Sequence, residues 1–399
     1  MRTKLSKWII IFTLLTSVVL SPLFSNRLDE FQFLKDKIEK SHKNFFNTIE
    51  RKECDEEFQR LSKDLENLSY GDYYFTLLSY LALSHDSHTF INSPDIFSYF
   101  KYFPLQLNYI GDRAYVVSGL REYRDTMGKE VLSINGVTIK QIEEKASNIF
   151  PHDNTVYLRM TLNNYLNNTS FLSFIGVAES EDDAVTIVFS DNSSLSISPS
   201  FSSEIKKENL ISAVTSYPPY WYTGYYRALA IKNDVLLISY NTCAENPEYP
   251  LKTFESDIKS LLSIKKHSAI IVDLRYNGGG NSYLFDPIIK LLKKEKCNKY
   301  CLIGAYTFSS AILNAVSLKE KAGFTLIGSP TGGSVNHYGD IKSFTLPETG
   351  WEVYYSTKYF KLSNKYDGSL IPDKLIIKDA SSYFKGVDRE IDYCLNVSR

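Results

Sequence analysis

Between about Ala228 and Ile327 the chain alternates wholly apolar runs with stretches whose apolar residues recur at helical spacing, which leaves few architectures open. The apolar runs are Val235–Ser239, Ala269–Leu274, Tyr300–Gly304 and Thr325–Ile327. Between them lie helical patterns at Leu251–Ile264, near Tyr283–Lys294, and at Ser309–Lys321. A strand apolar along its whole length is covered on both faces, and strands separated by amphipathic helices join through parallel βαβ units. An α/β core is therefore expected over residues 221–399.

The segments before it follow other periods. From Leu28 to about Leu83, apolar residues such as Phe31, Leu34, Ile38, Phe58, Leu61, Leu65, Tyr74, Leu77 and Leu81 recur at helical spacing, with a break at Gly71-Asp72. Residues 27–95 are read as a helical cap, its aromatic residues as core. Residues 96–220 change to short β-rich runs, Leu105–Ile110 and Arg113–Ser118 among them. Gly128-Lys-Glu-Val-Leu-Ser-Ile-Asn-Gly136 then gives a strand, an Asn-Gly turn and a second strand entering a helix at Ile142. This string resembles the carboxylate-loop half of a PDZ module, whose exposed sheet edge can take an extended peptide as an added strand. From Tyr157 to Ser216 the strands Ala184–Phe189 and Ser194–Ile197 suggest a connecting β layer.

Arg2, Lys4 and Lys7 precede an uncharged, mostly apolar run from Trp8 to Phe24. This is the pattern of an export signal, so residues 1–26 are expected to be a signal peptide or an N-terminal membrane anchor. Secretion, the periplasm or the cell surface follows as the expected location. The formal net charge is −1, from 45 Lys plus Arg against 46 Asp plus Glu, which argues against nucleic acid as a partner. The five cysteines are too few and too scattered for a disulfide framework; Cys297 and Cys301 either pair locally or lie free. Neither a structural metal nor an organic cofactor is implied.

Two constellations carry chemistry. Asp273-Leu-Arg-Tyr-Asn-Gly-Gly-Gly280 leaves a buried strand and ends in three glycines, a turn whose bare N–H groups can hold a phosphate or the oxyanion of an attacked carbonyl. Phosphate-binding glycine strings of the G-x-x-x-x-G-K or G-x-G-x-x-G type are missing from it. Tyr306-Thr-Phe-Ser-Ser-Ala311 sits at the next strand-to-helix junction. A serine there is usually an N-cap, but adjacent parallel strands bring their C-terminal ends to one crevice, so Ser309 should face the glycine turn. A hydroxyl beside an oxyanion hole is an acyl-transfer site.

Asp273–Gly280, Thr307-Phe-Ser-Ser-Ala311 and Gly328-Ser-Pro-Thr-Gly-Gly333 resemble, in order, the hallmark strings of tail-specific (C-terminal processing) proteases and the tricorn core peptidase. The similarity is close from about Leu236 to Asp373 and weaker back to about Leu81. It implies a crotonase/ClpP-like peptidase core, a protein or peptide substrate and a serine nucleophile at Ser309. It also implies oxyanion donors from Ser310 and from Gly279 or Gly280. Members of the Ser-Lys type carry their base where this chain has Ser334, so the base must come from elsewhere. Leu81-Ala-Leu-Ser-His-Asp-Ser-His-Thr89 resembles the upstream Ser-His string of tricorn-type members, which assigns the base to His88 and a supporting hydroxyl to Ser87.

Alternatives stay open at this stage. His337, with Asn336, follows the third string and either lines the cleft for substrate or replaces His88 as base; His85 and Lys342 are further candidates. Tricorn-type sites add an acid ahead of a Pro-Asp pair, and before Pro372-Asp373 the nearest is Asp367, one residue off the expected spacing. Asp273 and Arg275 are expected to hold the glycine turn through buried hydrogen bonds. A different class of function, a peptide- or lipid-binding relative that has lost its chemistry, is the competing reading.

Overall fold

The computed structural model describes residues 26–398 apart from Tyr366, so the expected signal or anchor falls almost wholly outside the described residues. Among them, no helix is long and apolar enough to cross a membrane.

The α/β core is a six-stranded sheet in the order Tyr226–Ile231, Val235–Tyr240, Ala269–Asp273, Asn298–Ile303, Thr325–Gly328, Lys374–Leu375. The first pair is antiparallel and the other four pairs are parallel. Period-2 geometry divides each strand between two faces. Leu236, Ile238, Ile270, Val272, Cys301 and Ile303 pack against the helices Leu251–Ile264, Asp286–Leu292 and Ser310–Ala322. Val235, Leu237, Ala269, Ile271 and Leu302 pack against the C-terminal helix Arg389–Val397. Both faces are covered, which is why these strands carry no polar alternation.

Arg275 locks this second face to the strand ends. It makes paired hydrogen bonds to Asp273 (3.0 and 2.7 Å) and to Asp388 (2.8 Å twice), and reaches Glu390 at 3.3 Å. Asp388 also caps the C-terminal helix through the Ile391 N–H. All four charged groups are buried. Truncating the cation alone would strand three carboxylates, so Arg275→Met is expected to cost about 3–5 kcal/mol, read by chemical denaturation.

The second sheet has the order Leu210–Ser212, Arg113–Leu120, Glu130–Ile134, Val185–Phe189, Ser194–Ile197, with Leu105–Ile110 and Val137–Thr138 paired alongside. The Asn135-Gly136 turn has φ of 49° and 77°, the left-handed pair that a two-residue hairpin needs. The helix that follows, Ile139–Ala146, opens on a Thr138/Gln141 capping box. No separate connecting layer exists between Tyr157 and Ser216. Its longer strands complete this same sheet, and the stretch from Asn154 adds two helices, Thr155–Leu162 and Thr169–Phe174, N-capped by Asn154 and Asn168.

The helices Arg27–Ser41, Arg51–Leu61 and Tyr70–Ala82 share one hydrophobic core with this sheet, so packing does not part residues 27–95 from 96–220. Leu346, Trp351 and Val353 of the hairpin His337–Thr345/Glu352–Phe360 enter that core too. The short strand Phe90–Asn92 pairs with the same hairpin, Phe90 opposite Tyr354 and Ile91 opposite Val353. This pairing carries the segment just before it, residues 84–89, from the N-terminal helices to the α/β core.

Candidate active site

The strand Asn298–Ile303 runs into a tightly bonded turn. Thr307 Oγ1 accepts from the Gly304 N–H (3.0 Å) and donates to the Leu274 carbonyl (2.8 Å), while the Phe308 N–H donates to the Asn277 carbonyl (3.0 Å). Two adjacent strand ends are thereby tied together. Ser309 follows with φ 52° and ψ −126°, a left-handed conformation that costs a non-glycine residue about 1–3 kcal/mol. Helix Ser310–Ala322 begins at the next residue. Ser309 occupies the N-cap position, yet its side chain makes no capping bond. A half-buried hydroxyl is thus held at a sharp strand-to-helix corner without structural employment.

The glycine bend lies against it. Asn277 Oδ1 accepts from the Gly279 N–H (2.9 Å) and its Nδ2 donates to the Tyr240 carbonyl (2.8 Å). Gly279 has φ 104°, and a Cβ there would sit 2.7 Å from Ser309 Cβ and 3.0 Å from the Ser310 nitrogen. At Gly280, φ 127°, a Cβ would lie 2.4 Å from the Cys243 carbonyl oxygen. Only glycine fits either place. Of the two glycines expected as alternative donors, Gly279 has its N–H engaged by Asn277. The N–H groups of Gly280 and Ser310 have no partner among the described residues, and Ser310 Oγ draws the two strands of the bend together by donating to the Gly280 carbonyl at 2.5 Å.

His88 is buried in a stack of rings. Tyr157 lies on Phe308 (centroids 5.0 Å), Phe308 on His88 (4.4 Å), His88 on His337 (5.5 Å) and His337 on Phe360 (5.3 Å). The imidazole is therefore clamped beside the residue that precedes Ser309. Neither of its ring nitrogens has a hydrogen-bond partner. Asp86 Oδ1 accepts from the His88 N–H (2.9 Å) and lies 3.8 Å from Nδ1. Its other oxygen accepts from Thr89 Oγ1 (2.7 Å) and meets His42 Nε2 at 3.0 Å. Because His42 Nδ1 accepts from the Asn44 N–H (3.1 Å), Nε2 carries the proton and donates to Asp86. Burial pushes the His88 pKa down to about 4, against the opposing pull of Asp86. Burial would raise Asp86, but the His42 hydrogen bond and the two neighbouring imidazoles outweigh it and hold this carboxyl at about 2. At neutral pH the pair is a neutral imidazole beside a carboxylate.

No family model and no curated relative matches the sequence. Solved structures do. Mature CPAF complexed with lactacystin matches at 13% identity and TM-score 0.63, covering 94% of this chain and 97% of that one. A serine-to-alanine mutant of CPAF matches at 13% identity and TM-score 0.65, with the same coverage. The chain has the CPAF fold. The tricorn protease also matches, at 16% identity and TM-score 0.46, over 93% of this chain and 36% of that one.

Within the CPAF fold, the other expected site residues divide into those bonded around the His88 segment and those outside it. Ser87 Oγ donates to Asp153 Oδ1 (2.7 Å) and accepts from the Asp153 N–H (3.0 Å). His337 is buried beside His88 with Nδ1 on the Ser334 carbonyl (2.9 Å), and burial lowers its pKa. Asn336 clamps a loop: its Oδ1 accepts from the Leu362 and Ser363 N–H groups (2.9 Å each) and its Nδ2 donates to the Ser363 carbonyl (3.0 Å). Asp367 is exposed and accepts from the next residue's own N–H (2.9 Å). Lys342 is exposed on strand His337–Thr345, ~17 Å along from His337 at about 3.4 Å per residue. His85 is exposed, its ring 6.3 Å from that of His152. Among the described residues, all five cysteines are free, and no group of His, Cys, Asp or Glu is arranged to hold a metal. Asp86, His42, Asp153 and Asn154 were missed from sequence; only the Asn154-x-x-Tyr157 helix cap left a readable trace.

Proposed function

We propose that this chain is an exported serine peptidase of the tail-specific and tricorn-like group, acting on protein or peptide substrates. Its α/β sheet is read as the crotonase-like core over residues 221–399, the helices of 27–95 as a cap, and the hairpin-bearing sheet of 96–220 as a PDZ-like insert. Export rests on the basic and apolar pattern of residues 1–26.

The single observation that carries the reading is the unemployed Ser309 hydroxyl on a strained turn, packed against the glycine bend whose Gly280 N–H is free, with the unpartnered His88 imidazole stacked on the adjacent Phe308. In this reading Ser309 Oγ attacks the peptide carbonyl carbon while His88 takes its proton. The Gly280 and Ser310 N–H groups hold the oxyanion. As the C–N bond breaks, His88 returns the proton to the leaving amine and an acyl-Ser309 remains; water, deprotonated by His88, then attacks the ester, and His88 gives that proton to Ser309 Oγ as the C–O bond breaks and the acid leaves. Asp86, already ionised, stabilises the imidazolium without taking its proton.

A fluorophosphonate probe tests this directly. Folded wild-type protein is expected to label with one probe per chain, on the peptide that contains Ser309. Absence of labelling in folded protein favours the ligand-binding relative instead.

A further inference from the structure

We propose that Asp153 is a positioning residue for His88, acting through the Ser87 hydroxyl and supplying negative charge when the imidazole takes up its proton. The proposal rests on the peptidase reading and adds to it a residue from the β-rich half of the chain.

Ser87 is fixed from both sides by Asp153, as donor to its carboxylate and as acceptor from its backbone N–H. Ser87 has no freedom left, and neither does the peptide that joins it to His88. The Asn154 amide nitrogen, on the next residue, lies within hydrogen-bonding distance of Asp153 Oδ1 (3.0 Å), the Gly332 carbonyl (2.8 Å) and Ser334 Oγ (2.9 Å), which share its two N–H groups. That loop in turn runs beside the nucleophile turn, Gly332 N–H on the Ala305 carbonyl and Gly333 N–H on the Thr307 carbonyl, both at 3.0 Å. Asn154 Oδ1 also caps the helix whose Tyr157 starts the ring stack over Phe308. One dipeptide therefore spans base segment, nucleophile turn and ring stack. The Asp153 Oδ2 is buried and makes no close hydrogen bond, although the Ser334 hydroxyl acts on the same carboxyl.

Burial raises the Asp153 pKa to about 7, with nearby Asp86 adding to the effect and the Ser87 hydrogen bond opposing it. The other titratable groups around it are His88 beyond Ser87, Tyr157 on the next helical turn, and His152 with His85 facing it. Asp153 thus ionises where the reaction would run. Its carboxylate meets the base segment at the Ser87 hydroxyl, and through that bond it would favour the imidazole turning positive in the transition state.

Turnover of a fluorogenic peptide across pH 4–9 tests this in wild type, Asp153→Asn, Ser87→Ala and the double variant. Wild-type kcat is expected to rise in a second step near pH 7, with KM little changed. Asp153→Asn should lack that step, running about 10-fold slower at pH 8 and near wild type at pH 5; the double variant should be no worse than the poorer single one. A loss of equal size at every pH, or additive losses, overturns the proposal. Should wild type turn over no peptide and take no probe, the peptidase reading falls by itself. The Asp153 proposal is then read from the His88 ring resonances by NMR: a second shift near pH 7, missing in Asp153→Asn, supports it, and a single titration overturns it.

Discussion

Ser309→Ala is expected to abolish fluorophosphonate labelling and to lower peptide turnover by at least about 10⁴-fold, with the fold intact. The variant isolates the hydroxyl because of the backbone it stands on. Alanine pays the same penalty as serine at φ 52°, so the strain of the turn is unchanged. No hydrogen bond is lost from the helix start, since the serine side chain makes no capping bond. Stability should therefore stay within about 0.5 kcal/mol of wild type, where removal of a true N-cap typically costs about 1 kcal/mol. A loss of stability with activity retained would identify Ser309 as a cap and refute the assignment. Ser310→Ala is the natural control: it removes the bond to the Gly280 carbonyl but leaves both proposed oxyanion N–H groups, so labelling should persist at a reduced rate.

What could be read from the sequence and what could not divides along the range of the interactions. Helix Leu251–Ile264 and the strands near 236, 270 and 301 stand where periodicity puts them, because burial on one or both faces is written in consecutive residues. The Asn135-Gly136 turn was equally plain, its left-handed φ values being a local demand. The strand-to-helix corner at Ser309 belongs to the same class. The surroundings of His88 do not. His42 meets Asp86 across 44 residues, Ser87 meets Asp153 across 66, and Asn154 reaches Ser334 across 180. No pattern within a segment reports such contacts. Spacing along the chain points to Asp367, and nothing local shows that its loop leaves it exposed. Nor does anything local show that the chain folds the Asp86 carboxylate against the histidine two residues on. The short helices after Asn154 and Asn168 were missed for another reason: capping asparagines look like loop residues until the helix behind them is known.

His88→Gln is the second large effect, a fall in turnover of at least about 10³-fold at pH 7 with Ser309 still present. His88 rather than His337 is taken as the base because both His88 nitrogens are unpartnered while Nδ1 of His337 is engaged by the Ser334 carbonyl. His337→Gln should lose about 10-fold through looser clamping of His88, and Lys342→Ala should lose nothing. The wild-type pH profile should show activity appearing as pH climbs through about 4, because the neutral imidazole is the competent base. The same shift predicts a stability effect of definite sign. An unfolded histidine binds its proton near pH 6.5 but the folded one only near 4, so between these values the unfolded chain holds more protons and stability falls as pH is lowered. Carried across the whole window, this loss is about 3 kcal/mol, and it should vanish in His88→Gln. Denaturation midpoints at pH 4.5 and 7 would therefore lie closer together in the variant than in wild type. An active His88→Gln, or an unaltered acid dependence of its unfolding, would mean that the buried imidazole is neither the base nor the group held neutral by its surroundings.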